Sequence, residues 1–163
     1  KLPYIAPEQF YQWTVTIGGA GATIVVSVLF LFFCKSKFLK EVGRFSIIPG
    51  IFNINEPMIF GAPMMLNPYM FIPFNLVPLV LTIVSYFAVK LEMVNGFTVL
   101  PTWTLPAPIG GYLSAGNDWR VVVLIVINTL IAFIIYYPFV KAYDKKMLSD
   151  EQNNNGDNEI QTA

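Results

Sequence analysis

The run Asn53-Ile54-Asn55-Glu56-Pro57 sets a carboxylate and two amides inside an apolar, proline-broken stretch from Phe45 to Leu66. An ionisable group at membrane depth is costly unless a cavity or a partner receives it, so its presence calls for a reason beyond packing. Broken backbone at that depth must line protein or water. The surroundings make this argument apply, because 55% hydrophobic residues, 12% charged residues and a mean hydropathy of +0.59 exclude a soluble domain of this size. Ten basic residues balance ten acidic ones, and no nucleic-acid partner is expected. With Cys34 as the single cysteine and no histidine, neither a disulfide nor a metal site is expected, and no cofactor. Cys34 itself reads as inert packing.

The sequence predicts an all-α membrane protein with about three transmembrane helices plus re-entrant hairpins. Spanning a hydrocarbon core of about 30 Å takes roughly twenty helical residues, and segments 13–34, 69–91 and 119–140 are long and apolar enough. In the first, Gly18-Gly19-Ala20-Gly21-Ala22 would let a neighbouring helix approach closely. Pro73 and Pro78 are expected to kink or unwind the start of the second. Asn117 or Asp118 is placed to cap the third, and Tyr136-Tyr137-Pro138 near its end reads as a membrane-interface mark.

Basic clusters follow the first span (Lys35, Lys37, Lys40, Arg44) and the third (Lys141, Lys145, Lys146), which sets both on the cytoplasmic side. Residues 45–66 must then enter and leave on that side as a re-entrant hairpin of two short helices. Pro49-Gly50, Pro57 and Gly61-Ala62-Pro63 agree with such a break. Phe38, Leu39, Val42 and Phe45 fit one face of a short interfacial helix, with a solvated linker as the alternative. Residues 1–12 are read as an extracytoplasmic lead-in, 97–113 as an outer hairpin or loop, and 147–163 as a disordered cytoplasmic tail. Because the chain begins at Lys1, it is read as part of a longer protein.

Four residues are candidates for a polar ligand. Glu56 is the first, since no basic residue lies in its hairpin; the other reading is a carboxylate pinning two helices. Asn53 and Asn55 flank it and could equally satisfy the hairpin's own backbone. Trp103, held among Pro101, Pro106 and Pro108, offers a rigid flat face to a sugar ring, or belongs to an interfacial belt.

The stretch from Gly50 through Pro63 together with Leu66-Asn67-Pro68 closely resembles the signature of the IIC component of bacterial sugar phosphotransferase systems, of the lactose/cellobiose/diacetylchitobiose family. The resemblance continues through Leu100-Pro101-Thr102-Trp103-Thr104, Pro106-Ala107-Pro108, Gly116-Asn117-Asp118-Trp119-Arg120 and Tyr136-Tyr137-Pro138-Phe139, and so covers most of residues 13–146. It implies a multi-pass protein of the bacterial plasma membrane, homodimeric at full length. That protein binds a disaccharide near mid-membrane and hands it to a IIB partner for phosphorylation, and carries no phosphorylated residue itself. On this resemblance Glu56 corresponds to the sugar-binding glutamate, Asn55 sits beside it, and Trp103 is the stacking tryptophan. Family members also use an upstream histidine, which this sequence lacks, so the resemblance implies the C-terminal part of a IIC fold; some relatives fuse a IIB domain after this point, and with none in this sequence a separate IIB protein is expected. A sugar receptor that moves nothing, or a scaffold subunit in which Glu56 is structural, are the rival expectations.

Overall fold

The computed structural model describes residues 7–161, with side chains through residue 153. Among the described residues there are seven helices: α1 (Glu8–Thr14), α2 (Thr23–Phe33), α3 (Lys37–Ile51), α4 (Glu56–Gly61), α5 (Pro68–Lys90), α6 (Ala107–Ser114) and α7 (Trp119–Gln161). Two of them, α5 and α7, are long and apolar enough to cross a membrane. Both start near the residues expected from the sequence. Asn67 caps α5, its side-chain oxygen accepting from the Tyr69 amide at 3.0 Å, and Asp118 does the same for the Arg120 amide at the start of α7. Despite Pro73 and Pro78, α5 runs as one helix, so the expected unwinding of its first turns is not seen.

The segment read as a first continuous span, 13–34, is interrupted. α1 ends at Thr14 and α2 begins at Thr23, with a glycine-rich turn between them. Gly18, Gly19, Gly21 and Ala22 all have positive φ, which no α-helix accommodates. The small residues that suggested close helix packing instead build a left-handed crossing. With eleven residues, α2 is about 16 Å long, near half of a hydrocarbon core. Tyr136 holds the crossing in place: fully buried, its hydroxyl donates to the Gly21 carbonyl at 2.6 Å. It is therefore a core residue rather than an interface mark, whereas Tyr137 is exposed.

α3 absorbs both the short helix at 38–45 and the first arm of the hairpin. The solvated-linker alternative is thereby excluded, because Leu39 and Val42 are buried against α2. Gly43 sits at that crossing, where a Cβ would lie 2.9 Å from the Leu31 and Ser27 backbone. α4 follows after the break at 52–55. Two helical arms joined by irregular backbone were expected, with the first arm longer than foreseen. In the outer stretch, Ser114 at the end of α6 closes a loop by donating to the Val99 carbonyl, while its own carbonyl accepts from the Thr98 amide.

α5 and α7 pack together, and α7 also contacts α1, α2 and α6. Asn128, buried on α7, donates to the Thr14 carbonyl and to the Ser85 hydroxyl, both at 2.7 Å, and so ties α7 to α1 and α5. Outward positions such as Ile72, Leu79, Ile83, Leu130 and Ile134 are apolar and exposed, as on helices that meet lipid or further protein.

Helix α7 continues past the apolar span to Gln161, where a disordered tail over 147–163 was expected; residues 162–163 lie outside the described residues. The reason is a tertiary anchor. Asp144, buried, accepts from the Lys35 and Ser36 amides at 2.9 Å, and Glu151 accepts from the Ser36 hydroxyl at 2.6 Å and from the Phe38 amide at 3.2 Å. These carboxylates satisfy otherwise unpaired amides at the start of α3. Glu151→Ala is expected to leave the fold intact while amide exchange around Phe38 accelerates about fivefold, the equivalent of one net hydrogen bond; unchanged exchange would remove the anchor from the account.

Candidate functional site

Three breaks in helical structure converge: the turn at 15–22, the link at 52–55 and the loop before α6. Asn53 joins them. Its side-chain oxygen accepts from the Gly18 amide at 3.0 Å, and its nitrogen donates to the Trp103 carbonyl at 2.8 Å and the Leu105 carbonyl at 2.9 Å. Both amide hydrogens and one acceptor position are thus engaged by backbone. Asn53 itself takes a left-handed conformation, φ 61°, a geometry that asparagine tolerates better than most residues.

Asn55 is the residue before α4, and its amide donates to the Ala20 carbonyl at 3.1 Å. The turn and the link touch here: Gly19, with φ 100°, lies so close that a Cβ would fall 2.5 Å from the Asn55 side chain. Glycine is needed there on both counts. Pro57 follows at the start of α4, where its missing N–H costs nothing.

Asn53, Asn55 and Trp103 line one cleft of about 420 Å³, whose other wall is α1 with Glu8, Tyr11 and Gln12, followed by Thr16 of the turn. Trp103 is 56% exposed, so its indole face is available while its carbonyl is fixed by Asn53. Glu56, the first residue of α4, is exposed and adjoins Asn55 in sequence, but does not line the cleft. Among the described residues no cation pairs with its carboxylate. Its reading as a pin between helices therefore has no partner in the structure.

The α1 wall went unread, because residues 1–12 were treated as a lead-in. In the structure Glu8, Tyr11 and Gln12 share one face at i, i+3 and i+4, with Phe10, Trp13 and Thr14 buried on the other. A larger hollow of about 470 Å³ lies on the far side of Asn53, lined by groups such as Ile24, Val28, Ile125 and Phe133. Its walls offer few hydrogen bonds, so it does not suit a polyhydroxyl ligand.

Polar groups carried on interrupted helices, within a bundle whose two longest helices are apolar enough to span a membrane, are the pattern of a helical membrane protein. Residues 1–78 match the family model described as phosphotransferase system, EIIC. The chain belongs to this family. It is 47% identical over 141 residues to the lactose-specific EIICB component of Streptococcus mutans, covering 86% of this chain and 25% of that protein. To the lichenan permease IIC component of Bacillus subtilis it is 37% identical over 154 residues, covering 94% of this chain and 34% of the relative. Its fold matches the crystal structure of the transporter ChbC, the IIC component of an N,N'-diacetylchitobiose-specific phosphotransferase system. That match has a TM-score of 0.88 and 44% identity, covering 93% of this chain and 35% of that one. The all-helical membrane fold expected from the sequence is thereby established, and the chain spans about a quarter to a third of these relatives.

Proposed function

We propose that this segment forms the sugar-binding part of a IIC transporter that takes a disaccharide across the bacterial plasma membrane and presents it to a IIB protein for phosphorylation. The observation that carries this reading is the cleft in which Asn55 and the open face of Trp103 meet, beside the exposed carboxylate of Glu56. A pyranose presents C–H faces that pack on an indole and hydroxyls that pair with amides and carboxylates, so the three groups fit one ligand class. Asn53 contributes by holding Trp103 in place rather than by touching sugar, since its amide is engaged by backbone. The substrate class is narrowed by the relatives, whose names specify lactose, lichenan and diacetylchitobiose. Phosphoryl transfer falls to the IIB partner, and neither a metal nor a cofactor is needed for binding and release.

Equilibrium binding of labelled lactose, cellobiose and diacetylchitobiose to the complete transporter tests this reading. At least one is expected to bind saturably and to be displaced by its unlabelled form. Trp103→Ala is expected to weaken binding about tenfold and Trp103→Phe to restore part of it, as loss and partial return of a stacking face would. If no disaccharide binds, or if Trp103→Ala binds like wild type, the sugar site lies elsewhere.

A further inference from the structure

The α1 wall of the cleft presents side-chain groups that the fold does not use. Gln12 lines the cleft, and its side-chain nitrogen is buried without a hydrogen-bond partner. A buried amide donor left unpaired is costly, so turning the Gln12 side chain toward the cleft and pairing its nitrogen with an acceptor brought in by a ligand would relieve that cost. Glu8, one turn before Gln12, and Tyr11, its immediate neighbour, are exposed and line the same cleft, and neither side chain has a hydrogen bond among the described residues. Across the cleft the situation is reversed: Asn53 is engaged by three backbone groups and Asn55 by one. α1 is also held firmly, since Gly110 on α6 lies flush against the buried Trp13 ring and Asn128 donates to the Thr14 carbonyl. Its polar face is therefore fixed in position before any ligand arrives.

From this we infer that Gln12, with Glu8 and Tyr11, forms a second sugar subsite that contacts the ring not covered by Trp103 and determines which disaccharide the transporter accepts. The inference rests on the sugar-binding reading of the cleft. A carboxylate and an amide at helical spacing suit a neutral pyranose, whose hydroxyls both donate and accept, and the Tyr11 ring adds an apolar edge. Discrimination arises because a sugar lacking the matching hydroxyl or acetamido group leaves Gln12 unpaired as it is in the empty site.

The test uses the complete transporter and the same three labelled disaccharides, comparing Gln12→Ala, the near-isosteric Gln12→Glu and Glu8→Gln with Glu56→Gln. Elution profiles of the detergent-solubilised proteins report folding. The Gln12 and Glu8 variants are expected to change the ratio of Kd values between disaccharides by about tenfold, with uneven effects across the panel. Binding that weakens equally for all sugars, or ratios that stay within twofold of wild type in all three α1 variants, overturns the inference. If those ratios stay constant while Glu56→Gln weakens binding tenfold or more, only the α1 subsite is refuted and the sugar site stands. If Glu56→Gln also binds as wild type does, the reading of the cleft fails first. Should Gln12→Ala elute as aggregate, Gln12→Glu and Glu8→Gln decide the outcome on the same ratios.

Discussion

Asn53→Ala is expected to destabilise the protein by about 2 to 4 kcal/mol and to abolish sugar binding with it. Three hydrogen bonds disappear at once, each worth about 1 kcal/mol, and the Gly18 amide and Leu105 carbonyl lie in partly buried surroundings where water replaces them poorly. Alanine also pays roughly 1 kcal/mol for the left-handed backbone that Asn53 adopts. Two further substitutions separate these contributions. Asn53→Gly loses the same bonds but relieves the backbone, and should be the milder change by about that 1 kcal/mol. Asn53→Asp keeps an acceptor for the Gly18 amide yet faces two carbonyl oxygens with a carboxylate, and should be at least as harmful as alanine. Thermal unfolding of the three variants checks the order. If Asn53→Asp is tolerated, the side chain does not clamp the Trp103 loop.

Glu56→Gln should give the opposite profile, with binding weakened and the fold kept. The carboxylate is exposed at the first turn of α4, no cation pairs with it among the described residues, and a neutral amide of the same shape fits the same space. Its removal therefore leaves no buried charge behind. A charge-assisted hydrogen bond to a sugar hydroxyl is worth about 1.5 to 3 kcal/mol, so a Kd increase of about ten- to a hundredfold is expected. An unchanged Kd, or a loss of folding, would assign Glu56 to structure instead.

What could be read from the sequence followed the range of the interactions involved. α5 and α7 were legible because length and apolarity alone decide a span, and their starts because Asn67 and Asp118 act within two residues. The interruption of 13–34 was not. Gly18 to Ala22 suits a tight helix crossing and a left-handed turn equally well, and the choice is made by Asn53, Asn55 and Tyr136, which are 35 to 115 positions away in sequence. The helical continuation past residue 147 depends likewise on Ser36, 115 positions from Glu151. Local composition favours disorder there, and only the tertiary bond shows otherwise.

The candidate site divides along the same line. Asn53, Asn55 and Trp103 stood out because polar or flat groups among prolines in an apolar chain are rare enough to notice. That the Asn53 amide, though it lines the cleft, is engaged by backbone depends on where two other segments pass, which no local pattern encodes. The α1 wall was missed for a different reason: a seven-residue helix shows too little periodicity to be distinguished from a lead-in.

The most direct test is uptake and phosphorylation of the labelled disaccharide panel by membranes carrying the complete transporter and its IIB partner, with wild type and Glu56→Gln at matched membrane abundance. Wild type is expected to accumulate at least one phosphorylated disaccharide, and Glu56→Gln at most a small fraction of that amount. Sugar transport that depends on Glu56 is contradicted if both proteins insert normally and wild type moves no sugar, or if the variant transports as well as wild type.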